Sequence, residues 1–276
     1  MPGTLSFVGL GLGGKEDITV AALKAVQASD VIFLENYTSI FMSTPVEELE
    51  EFYGKKITVA YRDDVEQDDN EIVRAAETGK VSLLVVGDPF CATTHSDMYL
   101  RCREKGITVN VFHNASIMNA VAATGLQLYN FGKTISIPYW EDNWKPTSFY
   151  DKLGANISIG LHTLCLLDIK VRELTMEALC MGRKEYRPPT YMTVNEALEC
   201  LMKIEDDKKE GLIKKDTVIV GVARLGYPDA HIYAGYPDQV IDHDFGGPLH
   251  CMIIVGAEVH DLELDMLKMF GFEPRE

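Results

Sequence analysis

Short apolar runs alternate with helical patterns through the first 112 residues. The apolar runs are LSFVGL (5–10), DVIFLE (30–35), KITVAY (56–61), VSLLVV (81–86) and ITVNVF (107–112). Between them lie the helical patterns ITVAALKAVQA (18–28), VEELEEFY (46–53), NEIVRAAETG (70–79) and HSDMYLRCREKG (95–106). Strands that are apolar throughout are typical of a parallel sheet covered by helices on both faces. The repeated β-α-β order therefore predicts an α/β domain with a mainly parallel sheet.

The pattern changes beyond residue 113, where β-like segments follow one another closely. The predicted strands are KTISIPYW (133–140), LHTLCLLDIKV (161–171), TVIVGVARLG (217–226), HIYAGYP (231–237) and GPLHCMIIVG (247–256). The predicted helices are SIMNAVAATG (116–125), TMEALCMGR (175–183), TVNEALECLMKIEDDKKEG (193–211) and DLELDMLKMFG (261–271). Closely spaced strands favour hairpins, so this half predicts a mixed sheet. We expect two α/β domains, residues 1–114 and 115–276.

Two segments of the second half are predicted to be irregular. YWEDNWKPTSFYDKL (139–153) is aromatic and interrupted by proline. It either docks a protein substrate, since Trp and Tyr often anchor interfaces, or packs as a connection. The charged run Glu205–Asp216 is expected to form a solvated loop.

Composition and charge exclude several classes of function. The 276 residues carry a net charge of −16, which repels phosphate backbones, so nucleic acid is not an expected partner. The six cysteines form no CxxC pair, so we expect no metal site but buried thiols in a reducing compartment. Residues 106–132 are uncharged, yet several asparagines argue against a membrane span. With no signal-type segment at the N-terminus, a cytoplasmic protein is expected.

A glycine motif follows the first predicted strand. Gly9, Gly11 and Gly14 have G-x-G-x-x-G spacing, and Glu35 ends the next strand, as in a dinucleotide-binding fingerprint. Residues 15–17 intervene before the helical pattern begins, so the third glycine does not lead directly into a helix. Binding of NAD or FAD by an oxidoreductase remains one interpretation. A loop lining another ligand cleft is the favoured one.

A second polar loop, GDPFCATTH, follows the predicted strand VSLLVV. Ligands of open α/β sheets bind beyond the carboxyl ends of the strands, which is where this loop lies. Asp88 either contacts a ligand or caps its own turn, as Asp often does before Pro. The Cys91 thiol is expected to pack or face the ligand rather than act as a nucleophile, and His95 is expected to begin a helix.

Several segments together resemble a known family. They are FVGLGLG, ITVAALKAV, EEFYGKK, VVGDPFCATTHSD, HNASIMNAVAATGLQLYNFGKT, LHTLCLLDIKVRE, RPPTYMTVNEAL and GGPLH, in that order. They are similar to the diphthine synthases, methyltransferases of the tetrapyrrole-methylase superfamily, from Leu5 to about Phe270. MGRKEYRPPTYMTVNEAL resembles the eukaryotic branch, whose members make the methyl ester.

The resemblance implies that S-adenosylmethionine binds in a cleft between the two domains and leaves as S-adenosylhomocysteine. The implied cofactor contacts are Leu12, Asp88, Cys91, Ser116, Ile117, Leu167, Leu225 and His250. The family usually has glycine where this chain has Cys91. A backbone contact there survives if φ is negative, whereas a positive φ is costly for a residue other than glycine.

The implied reaction methylates the aminocarboxypropyl-histidine of translation elongation factor 2 repeatedly to diphthine and its methyl ester. A homodimer is implied by the resemblance alone. No motif identifies a catalytic residue, and His95, His162 and Tyr139 are candidates by loop position. Three alternatives remain: methylation of a tetrapyrrole or an RNA ribose, a nucleotide-binding oxidoreductase, and an S-adenosylmethionine-binding regulator without turnover.

Overall fold

The computed structural model describes residues 3–42, 44–67, 70–175, 181–183 and 185–275. The chain divides into two compact units. The first comprises residues 1–120 and 171–188, and the second residues 121–170 and 189–276. The first unit therefore includes a later segment that the contiguous division at residue 114 does not anticipate. Val171 packs against the core of that unit, and Arg172 lies 4.3 Å over the Tyr61 ring and 3.5 Å from Asp64.

The first unit contains one five-stranded sheet. Its strands are β1 (Thr4–Gly9), β2 (Val31–Glu35), β3 (Thr58–Ala60), β4 (Lys80–Val85) and β5 (Thr108–Phe112). All neighbours are parallel, as the sequence predicts, and their order is β3-β2-β4-β1-β5. The dinucleotide-binding order places the second strand directly beside the first, whereas β4 separates them here. The sheet therefore differs from the fold that the glycine motif would require.

Helices of the first unit connect these strands. They are α1 (Val20–Gln27), α2 (Val46–Tyr53), α3 (Arg62–Glu66), α4 (Glu71–Ala76), α5 (His95–Glu104) and α6 (Ile117–Ala120). A short 3₁₀ turn, Lys15–Asp17, separates the glycine motif from α1. Side chains of β1 and β4 form the centre of the core because both strands lie inside the sheet, and Leu5, Phe7 and Leu83 are fully buried.

The second unit contains a five-stranded mixed sheet, which confirms the predicted sheet type. Its strands are β6 (Ile135–Ile137), β7 (Thr163–Leu167), β10 (Ile219–Ala223), β11 (His231–Gly235) and β12 (His250–Ile254). The order is β11-β10-β12-β7-β6, and only β6 and β7 run parallel. Its helices are α7 (Ser148–Ile157), α8 (Val194–Lys208), α9 (Pro237–Val240) and α10 (Asp261–Met269), with 3₁₀ turns Val121–Thr124 and Leu128–Asn130.

The single strand predicted over LHTLCLLDIKV is wrong. Asp168 divides it into β7 and a short strand β8 (Ile169–Lys170), which pairs with β9 (Thr190–Tyr191) in a separate sheet. The Asp168 side chain accepts the Tyr139 N–H at 2.9 Å, and its backbone carbonyl accepts the Met192 N–H at 2.9 Å. Asp168 is therefore hydrogen-bonded to Tyr139 and Met192 instead of continuing the backbone hydrogen bonds of β7.

Two further predictions for the second half need correction. Residues from Ser148 onwards belong to α7, and Phe149, Tyr150 and Leu153 are buried, so the aromatic segment is a loop only in its first part. The run Glu205–Asp216 is not simply solvated. Its first four residues lie in α8. The Glu205 carboxylate accepts backbone N–H groups of three residues that follow the helix, of which Ile213 is buried.

The helix predicted over TMEALCMGR falls mostly outside the described residues, as does Cys180. The predicted helix SIMNAVAATG is a single α-turn, α6, followed by a 3₁₀ turn. In the part of the chain that the structure describes, no helix is long and apolar enough to cross a membrane.

Candidate functional site

The glycine loop and the GDPF loop are hydrogen-bonded to each other in the first unit. The Gly87 N–H donates to the Gly11 carbonyl at 2.8 Å, and the Gly11 N–H donates to the Gly87 carbonyl at 3.2 Å. A Cβ at Gly9 would lie 2.8 Å from the Gly87 oxygen, so only glycine permits this approach. The two loops therefore form one structure at the carboxyl ends of β1 and β4, where ligands of parallel sheets bind.

Asp17 closes the glycine loop from within. One oxygen of its carboxylate accepts the Gly13 N–H at 2.6 Å and the Leu12 N–H at 3.2 Å. These are the amides with which such a loop would hold a phosphate, and a phosphate would also meet the carboxylate itself. The loop is therefore unsuited to a diphosphate, which weighs against the dinucleotide interpretation.

Glu35 is equally unsuited to bind a cofactor ribose. Its side chain is fully buried, and its carboxyl group accepts the Thr38 N–H and the Thr38 hydroxyl, each at 2.8 Å. Burial raises the pKa of the carboxyl to about 7, although the hydrogen bonds and the Arg62 charge oppose that shift. Glu35 is therefore a structural residue of β2.

Asp88 is held on both sides by hydrogen bonds. One carboxylate oxygen accepts the Phe90 N–H at 2.9 Å, which is the self-capped turn considered above. The other oxygen is 2.8 Å from His113 Nδ1 and accepts the Asn114 N–H at 3.1 Å. Burial acts to raise the pKa of Asp88, which is 5% exposed, but these hydrogen bonds outweigh it and hold the pKa below its usual value. Asp88 is thus a buried, ionised carboxylate.

Asn114 connects the Asp88 turn with the glycine loop. Its side-chain amide donates to the carbonyls of Gly9 at 3.0 Å and Asp17 at 2.9 Å. His113 and Asn114 follow β5, which lies beside β1 in the sheet, so these contacts arise at adjacent strand ends. Sequence reasoning did not assign roles to Asp17, His113 or Asn114. The available signal was polar residues directly after a predicted strand.

Three more predicted residues lie close to this arrangement. Ser116 is 5% exposed, and its Cβ is 3.7 Å from the position a Cβ would take on Gly87. Ile117 follows it at the start of α6 and is half-buried. Cys91 is exposed, and the positive φ values of this loop fall on Gly87, at 84°, and Ala92, at 61°, rather than on Cys91. The cysteine therefore causes none of the strain that a left-handed position would impose.

In the second unit, Leu167, Leu225 and His250 lie at the same end of three neighbouring strands of the sheet. His250 begins β12, Leu167 ends the antiparallel neighbour β7, and Leu225 follows β10, whose last residue, Ala223, is the register partner of His250. The His250 Nδ1 accepts the Val194 N–H at 3.4 Å, and Nε2 donates to the Gly247 carbonyl at 3.0 Å. Burial lowers the pKa of His250 despite this hydrogen bond, so the ring is neutral.

Arg224, which follows β10, is hydrogen-bonded to the segment 245–249, which precedes His250. Its backbone N–H donates to the Leu249 carbonyl at 2.9 Å, and its guanidinium donates to the carbonyls of Phe245, at 2.8 Å, and Gly247. Arg224 has a positive φ of 51°, which is uncommon for a residue other than glycine. No group of metal-ligating side chains occurs among the residues that the structure describes.

The three catalytic candidates chosen by loop position are all committed to internal contacts. His95 begins α5, as expected, and its Nδ1 is 2.7 Å from the Pro89 carbonyl in a buried setting. His162 is fully buried, with Nδ1 accepting the Gly256 N–H and Nε2 3.2 Å from Glu263. The Tyr139 hydroxyl donates to Glu196 at 3.2 Å, and its pKa is raised, first by burial. The two buried histidines therefore offer no accessible basic nitrogen, and the half-buried Tyr139 hydroxyl is a protonated donor rather than a base.

A model of the tetrapyrrole (corrin/porphyrin) methylase family matches residues 4–239. The chain belongs to this family. Among curated relatives, it is 49% identical to the human diphthine methyl ester synthase over 271 residues, which covers 97% of this chain and 95% of the relative. It is 47% identical to the enzyme of the same name from Schizosaccharomyces pombe, covering 96% and 93% of the two chains.

Solved structures agree with these relatives. A crystal structure from Entamoeba histolytica, described as a candidate diphthine synthase, has a TM-score of 0.86 at 43% identity and covers 99% of this chain and 100% of its own. A crystal structure of a diphthine synthase has a TM-score of 0.82 at 34% identity, with coverage of 98% and 97%. The α/β fold with one parallel and one mixed sheet is therefore that of the diphthine synthases, and the chain is a methyltransferase.

Proposed function

We propose that this enzyme methylates the aminocarboxypropyl-histidine of translation elongation factor 2, first on the α-amino nitrogen to give diphthine and then on the carboxylate. S-Adenosylmethionine is the proposed methyl donor. The chain is a methyltransferase of diphthamide biosynthesis, since its similarity to diphthine methyl ester synthases extends over 97% of its length. That similarity is the observation that carries the proposal.

The residues present are chemically suited to the donor, which supplies a methyl group on a positively charged sulfonium. Leu12, Ile117, Leu167 and Leu225 offer apolar surface for adenine and the carbons next to sulfur. A carboxylate has about four acceptor positions, and Asp88 uses three of them internally, which leaves one for a hydroxyl or ammonium group. Both ring nitrogens of His250 are occupied, so we assign that residue a backbone or ring-face contact.

Cys91 is retained as a backbone contact. Its N–H is 3.3 Å from the Asp88 carbonyl, and its φ is not positive, so the loop does not need glycine at this position. The alternative of an S-adenosylmethionine-binding regulator without turnover depends on Cys91 in place of glycine. The backbone conformation gives no reason for such a loss of activity.

Methyl transfer places modest chemical demands on the protein. The leaving thioether departs neutral, so alignment of acceptor and donor supplies most of the rate acceleration, and well-oriented reactions gain roughly 7–11 kcal/mol from proximity. The rigid, hydrogen-bonded loops around Asp88 are suited to such positioning. We further propose a cytoplasmic homodimer with elongation factor 2 as its protein partner. The buried thiols of Cys102, Cys165, Cys200 and Cys251 suit a reducing compartment.

Two experiments test this function. Calorimetric titration should show binding of S-adenosylhomocysteine and no response to NADH, and the reverse result would overturn the proposal. Labelled S-adenosylmethionine should then transfer label to elongation factor 2 purified from a strain that lacks this enzyme. An enzyme that binds S-adenosylhomocysteine yet leaves that factor unlabelled would refute the proposed acceptor.

A further inference from the structure

An exposed histidine lies beside Asp88, at the carboxyl end of β5. His113 Nδ1 is 2.8 Å from the Asp88 carboxylate, and the His113 side chain is 71% exposed while Asp88 is 5% exposed. We propose that His113 is the base that removes a proton from the acceptor's α-amino group before each N-methylation, with Asp88 as its positioning residue. This inference rests on the proposed function.

The contact with Asp88 determines which ring nitrogen of His113 carries the proton. Because Asp88 is ionised, its oxygens can only accept hydrogen bonds, so His113 Nδ1 must be the donor. In the neutral ring, Nε2 is then left with its lone pair. A buried carboxylate that orients an imidazole and stabilises its protonated form is the arrangement by which histidine acts as a general base.

The other histidines of the candidate site cannot take this role. His162 and His250 have both ring nitrogens occupied by internal contacts. His95 has an unpartnered Nε2, but the residue is 1% exposed. His113 differs from all three, because its Nδ1 is anchored and the remainder of the ring is accessible.

The N-methylation step balances with His113 as the proton acceptor. His113 Nε2 takes one proton from the ammonium form of the acceptor and becomes imidazolium. The acceptor nitrogen then uses the freed lone pair to form the new N–CH₃ bond while the C–S bond of the donor breaks and the thioether leaves neutral. The imidazolium returns its proton to solvent before the next transfer.

Methylation of the carboxylate provides an internal control for this role. A carboxylic acid is already ionised near neutral pH, so its oxygen attacks without loss of a proton. A base should therefore matter for the nitrogen transfers and not for ester formation. A residue that only shapes the cofactor site would affect both reactions equally.

The test compares His113→Gln with the wild-type chain on two forms of elongation factor 2. Glutamine can still donate a hydrogen bond to Asp88 but has no basic nitrogen. One acceptor carries the unmethylated side chain. The other carries the trimethylated acid, prepared by exhaustive methylation followed by mild alkaline hydrolysis of the ester. His260→Gln, at an exposed position of the second unit outside the candidate site, is the matched control.

We expect His113→Gln to slow N-methylation by about 100-fold, the usual contribution of a general base, while ester formation and the affinity for S-adenosylhomocysteine stay unchanged. His113→Ala should recover N-methylation when imidazole is added. Equal N-methylation by His113→Gln and the wild type would overturn the role of His113. An equal loss of both reactions would overturn it as well, because it would indicate a structural effect.

Nitrogen NMR of isotopically labelled protein supplies a readout that does not depend on turnover. The resonances lost in His113→Gln should belong to a ring protonated at Nδ1 and bare at Nε2, and the opposite tautomer would overturn the inference. A wild-type enzyme inactive on both acceptors would overturn the proposed function and His113 with it. If the wild type is active and His113→Gln is equally active, the role of His113 is overturned and the proposed function stands.

Discussion

Replacing Glu35 with glutamine should stabilise the protein, and only above acidic pH. The Glu35 carboxyl is fully buried at the end of β2 and has Thr38 as its hydrogen-bonding neighbour on both oxygens. A glutamine can keep both contacts, because its carbonyl accepts the Thr38 N–H and its amide donates to the Thr38 hydroxyl. The substitution Glu35→Gln thus removes a titrating group without leaving a cavity.

The magnitude follows from the shift in pKa. Burial raises the pKa of Glu35 from 4.5, the value expected in the unfolded chain, to about 7. A group with a raised pKa favours folding fully below its unfolded pKa, and that contribution is lost as the pH rises through the folded pKa. At about 1.4 kcal/mol per pKa unit, the free energy of unfolding of the wild type falls by about 3.5 kcal/mol as Glu35 ionises, a loss that the glutamine variant does not suffer. More than about 2 kcal/mol of this loss falls between about pH 5 and about pH 8.

Urea unfolding followed by far-ultraviolet circular dichroism at those two pH values measures this difference. The free energy of unfolding of Glu35→Gln, relative to the wild type, should rise by more than 2 kcal/mol from the lower to the higher pH. Glu104→Gln removes an exposed carboxylate from α5 in the same unit and should show no comparable rise. The same difference between Glu35→Gln and the wild type at both pH values would refute the reasoning.

Three further substitutions examine the loops, with S-adenosylhomocysteine affinity measured by calorimetry. Asn114→Ala removes both links to the glycine loop and should weaken binding about tenfold, whereas Asn110→Ala, an exposed position on β5, should not. Asp88→Ala should weaken binding while the protein stays folded, and unchanged affinity would mean that Asp88 only shapes its turn. Cys91→Gly should leave affinity unchanged and lower the free energy of unfolding by about 0.5–1 kcal/mol, because glycine adds freedom to the unfolded chain; improved binding would contradict the backbone role.

The strands of the first unit could be predicted from sequence because buried parallel strands are continuous apolar runs. The position of β4 between β1 and β2 could not, since strand order depends on how helices cross the sheet rather than on local pattern. In the second unit, the sequence pattern does not indicate the break at Asp168, because β8 follows β7 after that single residue and begins with the apolar Ile169. Only the contacts with Tyr139 and Met192 show why the ladder ends there.

The candidate site likewise contains residues that the sequence predicts and residues that only the fold brings together. Sequence position alone was enough to select Asp88, because polar residues after a buried strand often face ligands. The other seven cofactor contacts came from the family resemblance, and all eight remain predictions. His113 and Asn114 are 25 and 26 residues from Asp88, and Asn114 is 97 residues from Asp17. Contacts over such separations depend on the fold and leave no local signature.

The charge of these loops weighs against a dinucleotide at this G-x-G-x-x-G spacing. In a dinucleotide site, the loop amides are free to bind a diphosphate. Here the Asp17 carboxylate already occupies the amides of Leu12 and Gly13, and the ionised Asp88 is tied to the same loop through Asn114. Two carboxylates in loops at the carboxyl ends of neighbouring strands repel phosphate and attract positive charge. S-Adenosylmethionine carries a sulfonium, an ammonium and one carboxylate, and thus a net positive charge without phosphate. That charge suits the field of these loops, which supports its proposed use on electrostatic grounds independent of the family relationship.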